Sequence, residues 1–369
     1  MARIIALAFV LLLALLSSCG KRKADVLYFN GTIYSGESSS SNLQAFAVRD
    51  GRIVSTGSDD DILDGFDAPK KVDLKGRTVL PGFIDAHCHF FGYASDLLKC
   101  DLTGSRSYEA ALELLNAFSK TNKFSWLLGR GWDQNDWEDH SFPTRERLDS
   151  LYPTVPVFLM RIDGHAALCN AVALQLAGIN GDTRVAGGEV LLNQSGEPTG
   201  LLIDNAVDLV KAKIPPFPDS LNAEALLKAQ QHCFSVGLTT VDDAGLGKDS
   251  IFLIDRLQQE GKLKLRVYAM ISDSKETRDY FFSKGPYRTD RLNVRAVKVY
   301  ADGALGSRGA CLKRPYADQP GHYGFLLHDL AYMNDIMDEA HENGFQVCTH
   351  AIGDSAVKTI LMLYRENLS

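Results

Sequence analysis

The chain has no hydrophobic run long enough to cross a bilayer: the apolar stretch Ile4 to Leu16 has thirteen residues, where a spanning helix needs about 20. It has no basic block beyond Lys21, Arg22 and Lys23, and its 39 Lys and Arg face 46 Asp and Glu. The electrostatic footprint of phosphate-backbone binding is therefore missing, and nucleic acid is not an expected partner. No two of its 7 cysteines stand at the close spacing of a zinc knuckle or a redox motif. No internal repeat occurs, and the only low-complexity stretch is the serine run 38–41, which reads as a solvated loop.

What the short apolar run does suit is a signal peptide covering residues 1–18. It follows Arg3 and ends in Leu16-Ser17-Ser18-Cys19, a tetrapeptide that resembles the bacterial lipobox. Cleavage before Cys19 would leave a lipidated cysteine, with residues 19–24 as a linker; the alternative is an ordinary secretory signal with an incidental Cys. Lipid chains bury about 0.8 kcal/mol per CH₂, so they would be the only membrane attachment. Loss of residues 1–18 removes one charge, that of Arg3, and takes the net charge from −7 to −8. The expected mature body is soluble, acidic and outside the cytoplasm, with 45% hydrophobic and 23% charged residues. Its six cysteines, 88, 100, 169, 233, 311 and 348, read as buried free thiols.

Residues 25–80 contain short apolar runs separated by turn signals such as Asp50-Gly51, which predict β-hairpins in a small β-domain. From residue 81 to 369 the rhythm becomes apolar strands alternating with helical patterns, the mark of an α/β barrel or a doubly wound sheet. The clearest strands are 79–89, 237–245, 263–272, 294–303 and 345–354. Helical spacing precedes the second and last of these, and each such stretch closes on Gly, at Gly237 and Gly344. A long insertion at about 92–220 separates the first two strands and is expected to cap the site rather than form a separate domain.

Chemistry concentrates at strand ends. Side chains alternate along a strand, so Asp85, His87 and His89 of PGFIDAHCH share one face. Two imidazoles converging at the C-terminal end of an apolar strand stand where a barrel builds its site. By spacing alone, His-x-His on a strand is more often incidental than metal-binding.

The decisive feature is a set of four motifs in order: PGFIDAHCH, GLTTVDDAG, VKVYADGALGSRGA and THAIGD. Together they resemble the amidohydrolase superfamily, and within it the branch that includes N-substituted formamide deformylases. The resemblance runs from about residue 25 to the last residue. It implies a distorted (β/α)₈ barrel of the TIM type, of which about the first five strands are present, beside a small β-sandwich. By position it makes His87, His89 and His350 metal ligands, and it matches Lys298 to a lysine that in many relatives is carboxylated and bridges two metals. Carboxylation is intelligible there, because a buried lysine loses its charge readily. The competing readings are an ion pair between Lys298 and Asp302, and a capped core histidine for His350. Asp85 either accepts from a ligand imidazole's other nitrogen or stabilises a local turn.

The implied chemistry is hydrolysis of an amide or formamide C–N bond in a small molecule. One or two divalent ions, zinc by preference, would lower the pKa of water to about 7 and polarise the carbonyl. Asp133 of RGWDQ and His165 of DGHAALCN, both in the insertion, are candidate pocket residues, as are Asp302 and Arg308; exposed loop roles are the alternative. Gly303, Gly306 and Gly309 with Arg308 are read either as an anion-holding turn or as a tight connection. Trp132 and Trp137 either line a pocket or pack in a core.

After THAIGD the family pattern stops. The sixth-strand histidine and the eighth-strand aspartate that serves as base in relatives have no counterpart before Ser369, and the chain reads as a truncated form of a longer enzyme. A missing base would cost about 10² to 10⁴ in rate. The rival functions are a catalytically inactive lipoprotein remnant and, within the superfamily, a deaminase or cyclic amidase. Substrate, metal count and oligomeric state are left open.

Overall fold

The structure, a computed structural model, describes residues 20–37, 43–121 and 125–367. Cys19 and the apolar run before it lie outside the described residues. Among those described, no helix is long and apolar enough to cross a membrane. The chain divides into two compact units, one ending at Phe83 and one running from Ile84.

The first unit holds a four-stranded sheet in the order Arg52–Gly57, Ala45–Arg49, Val26–Phe29, Lys70–Asp73. Asp50 and Gly51 both take positive φ, 52° and 70°, and join the Ala45–Arg49 and Arg52–Gly57 strands antiparallel as the expected hairpin. The hairpin reading fails for the next run. Lys70–Asp73 pairs with Val26–Phe29 in parallel, and a parallel return needs a crossover, which the helix Asp59–Gly65 supplies. Ser58 caps that helix reciprocally with Asp61. The expected linker 19–24 is also revised: Arg22–Lys23 pairs with Phe66–Asp67, and the Arg22 guanidinium sits 4.0 Å from the Phe66 ring centre. These contacts make residues 22–24 part of the β-unit, with Ala24 in its core beside Leu27, Ile62 and Phe66.

In the second unit five strands lie side by side in the order Phe83–Cys88, Leu238–Leu246, Arg266–Ser272, Leu292–Tyr300, Gln346–His350. The last four run parallel. Helices follow the strands, at Phe90–Asp96, Lys248–Gln259, Lys275–Lys284 and Asp354–Asn367, while Asp219–Ser235 and Leu330–Glu342 lead into the second and fifth. Val297 and Val299 face the helices, in a core with Val267, Ile254, Met333 and Ile336. Ala296 faces the opposite side with Ala244 and Met270, the side to which Lys298 must also point by alternation. Gly344 (φ 75°) closes the Leu330–Glu342 helix: its amide reaches His341 O, and that of Phe345 reaches Ala340 O. This pair of bonds is a Schellman motif, with Gly344 at the stop expected from the sequence.

The insertion builds a six-stranded sheet of its own, ordered Cys100–Asp101, Leu127–Trp132, Val157–Arg161, Ala166–Cys169, Pro198–Asp204, Gly188–Leu192. It carries a buried cluster on each face. Leu159 joins Leu115, Leu148 and Trp132 on one, and Phe158 and Met160 join Leu174 and Val207 on the other. Trp132 and Trp137 are core residues, each anchored by its indole N–H to a carbonyl, Leu159 O at 2.8 Å and Ser105 O at 3.1 Å. The six described cysteines are free thiols.

Candidate active site

The C-terminal ends of the barrel strands and one edge of the insertion enclose a cavity of about 1130 Å³. His87, His89, Lys298 and His350 all line it, joined by Asp163, His165, Asp204, Asp273 and Tyr300. Residues from the ends of three strands far apart in sequence thus share one space.

His89 directs its Nδ1–H at Ala244 O, 2.9 Å away, which leaves Nε2 free to face the cavity. Both histidines of the first strand lie at an exposed lip. Even so, partial desolvation and then, for His87, the neighbouring Lys298 charge push their pKa values below that of free imidazole. Burial does the same for His350. Lys298 is 3% exposed; burial lowers its pKa, and its ammonium lies 5.3 Å from the Tyr300 ring centre. It has no carboxylate partner among the described residues, so the ion pair with Asp302 is not formed.

Asp302 is fully buried and accepts from the amides of Cys311 (2.8 Å), Ile352 (2.9 Å) and Gly353 (2.8 Å). It lies outside the cavity lining and instead ties the turn after His350 to the fourth strand. Asp85 accepts from the His87 amide at 3.2 Å, the local-turn reading, and no imidazole hydrogen bond to it occurs among the described residues. Asp133 and Arg308 also stand away from the cavity lining. Asp133 pairs with the buried Arg161 guanidinium and accepts from Asn135 N at 2.9 Å. Arg308 pairs with Asp318 and donates to Gly306 O at 2.7 Å. Each charged group is drawn to a partner within the fold that the sequence does not reveal.

His165 does reach the cavity. Its Nδ1 is 2.6 Å from Asp204 Oδ1, and its ring centre lies 5.2 Å from that of His350. Sequence reasoning missed Asp204, Asp163 and Asp243. Asp163, two residues before His165, accepts from the His165 amide at 3.0 Å and from Arg161 Nη1 at 2.6 Å. Asp243 of the second motif is 1% exposed and accepts from the Phe91 amide at 2.8 Å. It thereby holds the helix that follows His89, and burial raises its pKa to about 7.

The donor chemistry fits a divalent ion: imidazoles biased to the neutral form, a free Nε2 on His89 and a buried amine without a counter-ion. The rings stand as two pairs, His87–His89 with centres 5.8 Å apart and His165–His350. Among the described residues no three His, Cys, Asp or Glu side chains are already gathered on one point. Closing on an ion therefore requires side-chain rotation.

The amidohydrolase family model matches residues 70–367. The chain belongs to the amidohydrolase family. It is 34% identical to the YtcJ protein of Bacillus subtilis (strain 168) over 346 residues, which cover 91% of this chain and 65% of that one. It is 28% identical over 367 residues to an N-substituted formamide deformylase of Arthrobacter pascens, covering 92% of this chain and 65% of the relative. This amidohydrolase chain thus spans slightly less than two thirds of the length of either relative. Among solved structures it is similar to an uncharacterized metal-dependent hydrolase from Pyrococcus horikoshii OT3, with TM-score 0.70 and 27% identity, covering 92% of this chain and 68% of that one. That likeness places the five-stranded sheet in the α/β TIM-barrel class.

Proposed function

We propose that the chain is the metal-binding portion of a hydrolase that cleaves a non-peptide C–N bond, in an amide or formamide. The observation that carries this reading is the convergence of His87, His89, Lys298 and His350 from the first, fourth and fifth strands on one cavity. The deformylase relative supports the choice of bond. A zinc ion held there would supply activated water and carbonyl polarisation. His87, His89 and His350 are its nitrogen ligands, three being enough for a site with an open position. Lys298, once carboxylated, contributes oxygen ligands to a second ion, and its lack of a counter-ion leaves the amine available for that modification. Asp302 keeps His350 in register by holding the following turn.

Metal analysis of the purified mature chain tests the reading. One or two zinc ions per chain are expected; where two bind, Lys298→Ala keeps one, and His89→Ala weakens uptake in either case, whereas a chain that takes up no zinc overturns the reading. Screening formamides, N-acyl amines and cyclic imides then separates deformylation from cyclic-amide opening. We also propose that the chain is exported and attached to a membrane through lipid on Cys19. Palmitate labelling that persists in Cys19→Ser would overturn that assignment.

A further inference from the structure

The glycine-rich segment after the fourth strand holds a carboxyl group, and that group belongs to the protein. A Cβ placed on Gly303 or Gly309 would run into the Asp204 carboxylate, and one on Gly306 would stand 2.9 Å from Arg161 Nη1. The three glycines therefore let two charged side chains of the insertion lie directly on barrel backbone. Asp204 is drawn into this niche with φ +48°, a conformation that non-glycine residues rarely hold without a reason. Its side chain is fully enclosed, one oxygen meets His165 Nδ1 and the other has no hydrogen-bond partner. Asp163 fixes the His165 backbone from the other side.

This support points one group at the cavity. In the tautomer that donates Nδ1–H to Asp204 Oδ1, a neutral His165 carries a lone pair on Nε2, which has no partner among the described residues. An acceptor so placed suits a donor on the ligand. We propose that His165 is a specificity residue: its Nε2 accepts the N–H of a secondary amide whose carbonyl lies toward His87, His89 and Lys298. In a trans secondary amide the C=O and N–H point in opposite directions. The barrel strands would face one group and the insertion the other. The inference rests on the amide-hydrolase reading above and names what that reading leaves open, a substrate bearing N–H.

An amide and ester pair of nearly the same shape tests it. N-cyclohexylformamide and cyclohexyl formate are titrated calorimetrically into the full metal-free chain, where neither is consumed, and zinc uptake is measured in parallel. The amide is expected to bind about tenfold tighter than the ester, the size of one well-made hydrogen bond against an unmatched acceptor. His165→Ala should erase the difference and leave zinc uptake in place. Gly309→Ala, which crowds Asp204 and keeps His165, should shrink it, and this variant carries the test if His165→Ala does not fold. A preference that survives both substitutions overturns the proposal. Equal binding of the two probes by a wild-type chain that takes up zinc overturns it alone, whereas a chain with neither zinc uptake nor binding overturns the hydrolase reading as well.

Discussion

The first and fourth barrel strands both carry candidate ligands, yet they are held in opposite ways. Leu292–Tyr300 is buried along most of its length, with Val294, Ala296, Val297 and Val299 fully enclosed. In Phe83–Cys88, Phe83 is 51% and Ile84 64% exposed, and the strand has one neighbour among those described. Packing on both faces fixes Lys298. His87 and His89 depend on individual hydrogen bonds, from His89 to Ala244 O and from the His87 amide to Asp85. A ligand set can thus combine one residue locked by the core with two that are set locally and able to turn toward an ion.

The sharpest way to break this contrast is at Asp302, just beyond the fourth strand. Asp302→Ala would strip three backbone amides of their acceptor, each worth about 1–3 kcal/mol when left buried and unmade. A loss of about 4 kcal/mol in unfolding free energy is expected by urea titration, together with weaker zinc uptake as His350 loses its register. An unchanged stability would show that the turn after His350 is held by something else.

On the side of the first strand the corresponding support is Asp243, and its signature is pH. Its folded pKa of about 7 lies above the ordinary carboxylate value near 3.9. Between these values the folded state binds the extra proton, so its stabilising effect is full below about pH 4 and is lost as pH rises through 7. The contribution is on the order of 3–4 kcal/mol. Asp243→Asn, which keeps an oxygen acceptor for Phe91 N–H, should flatten the stability profile over that window in urea titrations. An Asn variant with the same slope would remove Asp243 as its source.

How much of this was legible in the sequence follows the same division. The five barrel strands, and the sharing of one face by His87 and His89, were readable because apolar runs ended in recognisable motifs. The crossover Asp59–Gly65 was hidden by its brevity, although Ser58 followed by three aspartates was its capping signal. The insertion's sheet was obscured because it mixes parallel and antiparallel pairs and therefore lacks one rhythm. Charged side chains were read least well. Asp133 and Arg308 were candidate pocket groups until Arg161 and Asp318 appeared beside them, and the glycine turn was open between an anion-holding turn and a tight connection until Asp204 was seen to fill it. Sequence spacing reports which face a residue takes, whereas the partner of a charge is a tertiary fact.

Paired truncations at the two strands give the remaining contrast. Leu292→Ala, at a site 1% exposed, should cost about 3 kcal/mol through lost transfer energy and the cavity left behind. Ile84→Ala should cost under about 0.5 kcal/mol, since most of that side chain is already in water and little is gained by burying the rest. Ile84 also alternates away from Asp85 and His87, so its truncation should leave zinc uptake where it was. Urea midpoints of the two variants, measured with zinc content on the same samples, decide the matter. A loss at Ile84 as large as that at Leu292 would mean that the outer side of the first strand is covered in solution, and His87 and His89 would then be held by packing, as Lys298 is.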